Sequence, residues 1–296
     1  MNKKLFSLSC ALVTAFIWGT AFVAQDMGMD HIGPLTFTSA RLFLGFLTLL
    51  PFLILIDFKK IKQNNYDFKK ILTYLLFIGF LVAYGNALQQ YALLYTDVAN
   101  AAFFTIFYVP MVPIIIFLFG KKSIHWSVWP SVVLCLIGGY LLTNFYDATI
   151  RLGDSLVLLG ALFWSTHIIF TGMIIAKYNL PLTIGAIQTL IVALFSFIIG
   201  VTYEEFIFYN ILKEIDSILY AGILSGGLAF VLQIYAQRNI TPAPAAIIFS
   251  LEGVFATIAA WFILNQILGI NNLLGCFFIL CGVLLSQLLP LIKKTT

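Results

Sequence analysis

The chain has 296 residues, 61% of them hydrophobic and 9% charged, with a mean hydropathy of +1.03. That leaves too little polar surface to cover a water-soluble globule of this size, so the chain belongs in a lipid bilayer. Its net charge of +4 comes from lysines spread over segment ends rather than a basic patch, and no nucleic-acid partner is expected.

Apolar runs long enough for a hydrocarbon core of ~30 Å fall at 5–25, 34–56, 71–91, 98–119, 126–144, 153–176, 182–201, 216–236, 243–264 and 270–290. They predict an all-α polytopic fold of ten membrane-spanning helices. The first run follows Lys3 and Lys4 as a signal peptide would, but it continues to Gln25 without a small-residue cleavage site and is read as a retained helix. In the fourth run, Pro110 and Pro113 free the carbonyls of Ile106 and Val109 and predict a bend, which Val254 and Thr257 at the matching positions of the ninth do not repeat. Gly138-Gly139, Gly222-x-x-x-Gly226 and the Gly275/Gly282 pair are read as close-packing faces. Cys10, Cys135, Cys276 and Cys281 fall within runs, without CxxC or clustered histidines, so neither disulfides nor metal is expected, and no cofactor.

The chain repeats itself. At an offset of 144, Leu88-Gln89-x-Tyr91-Ala92 falls on Leu232-Gln233-x-Tyr235-Ala236; at 146 and 147, Trp18 meets Trp164 and Pro34-Leu35-Thr36 meets Pro181-Leu182-Thr183. Each copy holds five runs, an odd number, so the second copy enters the bilayer from the opposite side. The seam lies at Phe145–Arg151, dividing the chain into repeats 1–146 and 147–296. Of the 16 Lys and Arg, 13 fall on the side of the N-terminus, Arg151 and Lys213 lie opposite, and Arg41 is inside a run. This bias predicts cytoplasmic termini in a multi-pass protein of the cytoplasmic (inner) membrane.

Polar residues inside the runs are the candidates for chemistry. Glu252 stands ten residues from Pro242, about 15 Å along the helix and so near the midplane. An ionised carboxylate there costs on the order of 3 kcal/mol or more, so it is paired, faces water or carries a proton. Its repeat partner is Tyr108, and the two are expected to face each other across the pseudo-twofold axis, with a packing role for Glu252 as the alternative. Gly160, Trp164, His167 and Thr171 form one stripe of the sixth run. His167 is a candidate substrate ligand or, with Glu252, a candidate proton carrier; the alternative is a structural group. Trp164 and its twin Trp18 either stack on a flat substrate or fill the bundle. Arg41, replaced by Gln188 in the second copy, either meets a substrate carboxylate, pairs with Glu252, snorkels toward the headgroups, or anchors Asp26 or Asp30. Asn86 and Gln89 near one mouth, and Gln233 and Gln237 near the other, are candidate gate latches, with ordinary inter-helix bonding as the plainer reading.

Trp18-Gly19-Thr20-Ala21-Phe22-Val23-Ala24-Gln25 resembles the helix-1 stretch of the drug/metabolite transporter superfamily, EamA type. Pro34 followed by Arg41 is similar to that family's helix-2 pattern, and Ser250-Leu251-Glu252-x-Val254-Phe255-Ala256 to its helix-9 motif. Two departures stand out. Gly253 occupies the place of a usual proline, and Gly120-Lys121 and Asn265-Gln266 stand where a Gly-Glu pair commonly closes helices 4 and 9. The resemblance implies a ten-helix carrier of small polar or amphipathic metabolites, such as amino-acid-like compounds, nucleosides, vitamins or drugs, often moving them outward.

The expected function is therefore secondary transport by alternating access around a midplane site between inverted repeats. The partners expected are a small-molecule substrate, the bilayer and protons as coupling ion, in a monomer or homodimer. A polytopic membrane enzyme is the first alternative, but no paired carboxylates, HExxH or GxSxG-like elbow brings catalytic groups together. A channel is the second, and no filter-like segment or charged ring is visible.

Overall fold

A computed structural model describes residues 3–64, 66–120, 124–142, 151–265 and 267–292, the side chains of 68 and 290–292 excepted. Seam residues 145–150, Lys121, Lys122, Lys293, Lys294 and Gln266 lie outside the described residues. Among the described residues ten long apolar helices follow in order: α1 (Lys3–Met27), α2 (Pro34–Gln63), α3 (Phe68–Ala92), α4 (Val98–Gly120), α5 (Val128–Leu142), α6 (Leu152–Tyr178), α7 (Pro181–Tyr203), α8 (Ile215–Ala236), α9 (Pro242–Ile263) and α10 (Ile270–Ile292), with a short helix, Phe208–Lys213, just before α8. All but α5, the shortest, are long and apolar enough to cross a membrane. Among the described residues there is no strand. The apolar runs end close to the helix ends, most of which are bounded by charge, Gly or Pro, although α3 and α9 stop at Ala92 and Ile263 before uncharged residues; α2 alone continues well past its run, as a π-helical turn (Leu53–Asp57) leads into the polar helix Phe58–Gln63.

The repeats are inverted. α2 and α7 are twins in sequence, and the backbone N–H of Leu35 at the start of α2 donates to Glu204 at the end of α7, while Leu182 N–H at the start of α7 donates to Asp57 late in α2. Helices that meet start to end at both termini run antiparallel.

α5 and α10, also twins, cross at glycine. A Cβ on Gly138 would lie 2.6 Å from the Gly275 carbonyl oxygen, and one on Gly275 would lie 2.6 Å from that of Gly138; Gly282 is equally tight against the Ser131 carbonyl, at 2.9 Å. Without a hydrophobic drive between helices in lipid, contact this close supplies the dispersion that holds the pair. Gly138→Val forces side-chain atoms onto backbone that cannot yield, and is expected to cost about 1–3 kcal/mol or more. Gly120→Ala, whose Cβ meets nothing nearer than 3.6 Å, serves as control. A thermal-melt comparison in detergent with the two variants alike would remove this account of the crossing.

The bend expected in α4 is present: regular helix stops at Ile106 and restarts at Tyr108. The expectation that α9 lacks a matching break is corrected. α9 is interrupted at Ser250, between Pro242–Phe249 and Leu251–Ile263. No proline causes it. The Ser250 hydroxyl donates to the Ile247 carbonyl, and Gly253 N–H takes a short bond to the Ser250 carbonyl, so side-chain back-bonding beside a glycine tightens the turn.

Candidate functional site

The two breaks decide what faces the interior. Tyr108 opens the second half of α4, Glu252 is the second residue of the second half of α9, and both line one central cavity of about 40 Å³. Tyr108 and Glu252 are close enough there to interact directly, although neither the Tyr108 hydroxyl nor Glu252 Oε1 meets a partner within 3.5 Å. α1 reaches this wall through Gly19, whose missing Cβ would lie 2.5 Å from the Glu252 carbonyl oxygen. That approach sets Trp18 beside the broken helix, with its ring 5.8 Å from Phe249 and 6.3 Å from the twin Trp164. Phe230 stacks on Trp164 at 6.2 Å and meets Trp18 edge-on at 5.4 Å. An aromatic box thus forms one side of the cavity and polar groups the other.

Arg41 is 2% exposed, and one guanidinium nitrogen donates to Asn86 Oδ1 at 2.7 Å and Gln25 Oε1 at 3.1 Å. It neither snorkels to a surface nor bonds Asp26 or Asp30. Among the described residues no ion pair joins it to a carboxylate, Glu252 included. The cation is held by amide dipoles, in the same cavity wall as Glu252.

The candidate gate residues are placed differently from expectation. Asn86, Gln89 and Gln233 line this one cavity instead of opposite mouths. Gln89 donates to Thr105 on α4 at 3.0 Å, and Gln237 ties α8 to the Ile168 carbonyl on α6 at 2.7 Å. Gln233 has no partner on either its amide nitrogen or oxygen. His167, fully buried, lies behind the wall: its ring stands edge-on to Trp164 at 5.9 Å, and Nε2 shares a 3.0 Å bond with Gln188. Phe22, Gln25, Thr105, Ile168, Ser225 and Phe230 also line the wall and were missed by sequence reading. Gln25 carried a signal, as the last polar residue of an apolar run, whereas Thr105 and Ser225 look like ordinary helical hydroxyls.

Five wall residues hold buried polar atoms without a partner: Arg41 Nε, Tyr108 OH, Trp164 Nε1, both ends of the Gln233 amide and Glu252 Oε1. Native interiors satisfy nearly all such groups. Among the described residues seven more such atoms lie outside this wall, including His167 Nδ1 and Gln188 Nε2; the six on the wall give the cavity hydrogen-bonding capacity that a polar occupant can use.

Ten apolar helices in antiparallel repeats around a central polar cavity define a polytopic membrane transporter. The EamA-like transporter family matches the chain twice, over residues 5–144 and 151–288, and the chain belongs to that family. It is 31% identical to an uncharacterized transporter of Archaeoglobus fulgidus over 97% of this chain and 87% of the relative. It is 27% identical to the uncharacterized transporter YoaV of Bacillus subtilis, over 91% and 92%. One crystal structure of 15% sequence identity superposes with a TM-score of 0.78 over 96% of each chain, which shows a shared fold.

Proposed function

We infer that this transporter carries a small amphipathic metabolite by alternating access, rocking its repeats 1–146 and 147–296 about the central cavity. The observation that carries the reading is the set of unsatisfied buried groups on Arg41, Tyr108, Trp164, Gln233 and Glu252. Each costs about 1–3 kcal/mol while unpaired, and a substrate with donors and acceptors relieves that cost. Arg41 and Glu252 share the wall without pairing to each other, which supports a substrate with one anionic and one cationic end; Trp18, Trp164 and Phe230 supply a surface for a flat or apolar body. In the orientation the lysines favour, with both termini in the cytoplasm, an inward proton gradient drives such a substrate out when Glu252 exchanges it for a proton.

The test is ligand stabilisation of the purified protein. Phenylalanine is expected to raise the thermal midpoint, whereas its methyl ester, lacking the carboxylate, and N-acetylphenylalanine, lacking the ammonium, each fall short. Gln233→Leu is expected to weaken the phenylalanine effect. Stabilisation by uridine with none by phenylalanine would replace the doubly charged substrate by a nucleoside; equal stabilisation by all three phenylalanine compounds would remove the roles of Arg41 and Glu252.

A further inference from the structure

α2 and α7 each begin with proline, Pro34 and Pro181, and are preceded by Gly33 and Leu180, neither of which has a side chain able to cap a helix. The orphan N–H groups of the first turn are instead satisfied from the other repeat. Glu204 accepts from Leu35 N–H, Thr36 N–H and the Thr36 hydroxyl, each at 2.8 Å. Asp57 accepts from Leu182 N–H at 2.9 Å, Thr183 N–H at 3.0 Å and the Thr183 hydroxyl at 3.3 Å. The two carboxylates are 147 residues apart in sequence, the offset that also relates Pro34 to Pro181. The motif is therefore one device used twice, an exchanged cap at each end of an antiparallel pair.

The ends differ in detail. Asp57 is fully buried and also meets Lys60 at 3.2 Å. Glu204, one methylene longer, lies over Gly33, where a Cβ would come within 2.2 Å of its carboxyl carbon. Between the caps, α2 supplies only Arg41 to the cavity and α7 supplies nothing. Six charge-assisted bonds hold the pair at both faces at once, and opening either face between α2 and α7 requires breaking three of them.

We propose that Asp57 and Glu204 are positioning residues that keep α2 and α7 clasped through the whole transport cycle, so that the two repeats rock about this pair as their shared axis and Arg41 stays at a set depth in the cavity. Arg41 lies five residues beyond Thr36, so a shift of the capped end moves the guanidinium directly.

Two measurements test this. The first needs no transport: in the parent protein in nanodiscs, the amides of Leu35, Thr36, Leu182 and Thr183 are expected to exchange with deuterium at least about 100-fold more slowly than unbonded amides. Exchange within about tenfold of the unbonded rate at either end overturns a persistent clasp. The second uses the distance of 3.4 Å from a Cβ built on Gly200 to Leu35 Cβ, just short of the ~3.5–4.5 Å of a disulfide, which a shift of a few tenths of an ångström reaches. With the four native cysteines replaced, a Leu35→Cys/Gly200→Cys protein is expected to keep phenylalanine counterflow within about twofold on oxidation; a loss above about tenfold that reduction restores shows that this face must open, and defeats the proposal. In the same assay Glu204→Ala is expected to raise KM about tenfold with kcat little changed, and Glu204→Gln, which keeps acceptor and shape, to recover most of it. A lowered thermal midpoint with KM unmoved assigns Glu204 a purely structural role. Absence of phenylalanine counterflow in the parent defeats the transport reading, and the exchange measurement then decides the clasp independently.

Discussion

Replacing Glu252 by Gln is expected to abolish pH-driven accumulation in proteoliposomes while leaving substrate counterflow largely intact. The carboxyl is 4% exposed, stands in the cavity wall, and has no cation bonded to it in the described structure. An ionised carboxylate buried at that depth without a partner is costly, because it loses its hydration. When the cavity opens to water on one side, or admits a cationic group, the charged form becomes affordable. One proton is thus tied to one conformational step. Glutamine keeps the shape and an acceptor oxygen but not the charge that meets the substrate's cationic end, so phenylalanine binding is expected to weaken by about 1.5–3 kcal/mol, roughly 10–100-fold, and counterflow survives at saturating substrate. Equal pH-driven uptake by the variant and the parent would take the proton from Glu252. His167, which is bonded to Gln188 behind Trp164, would then be the group to vary.

The second large effect concerns Arg41. Arg41→Leu is expected to weaken phenylalanine binding by about 10–100-fold, the range of a charge-assisted hydrogen bond of about 1.5–3 kcal/mol. It should also erase the preference for phenylalanine over its methyl ester, since the guanidinium is then no longer there to distinguish them. Part of the loss is indirect: Gln25 Oε1 and Asn86 Oδ1 accept from Arg41, and without it two buried acceptors lose their donor. Arg41→Lys separates the contributions, because a lysine retains the charge but lacks the planar fork that can hold two amides and still offer an N–H. Isothermal titration of both ligands against parent, Leu and Lys proteins gives the comparison. A preference for phenylalanine over its methyl ester preserved in Arg41→Leu would show that the carboxylate is read elsewhere.

The spans were legible because in lipid every backbone group must be bonded within its own helix, so apolar length alone announces each crossing. Residue 252 was conspicuous for a related reason: a carboxylate at midplane depth is costly enough to stand out against its neighbours, and its twin at 108 followed from the repeat offset. Other features had no such signal. The break at Ser250 arises from a side chain turning back on its own helix, an alternative every helical serine possesses and few adopt. The partners of Arg41 come from α1 and α3, and only packing chose the amides of Gln25 and Asn86 over the carboxylates of Asp26 or Asp30. Asn86, Gln89 and Gln233 were assigned to mouths by counting along helices, yet they share one chamber. Axial counting ignores how helices tilt and cross.

The sequence by itself determined that this is a two-copy, ten-span membrane transporter with an odd number of crossings per copy, since hydropathy and repetition are linear properties of the chain. Only the tertiary structure decided which polar groups remain unpaired around the cavity, that His167 stands behind the wall, and that each repeat caps the other's second helix. Those outcomes depend on directions of side chains from separate helices meeting at distances of about 3 Å, and no count along the chain contains them.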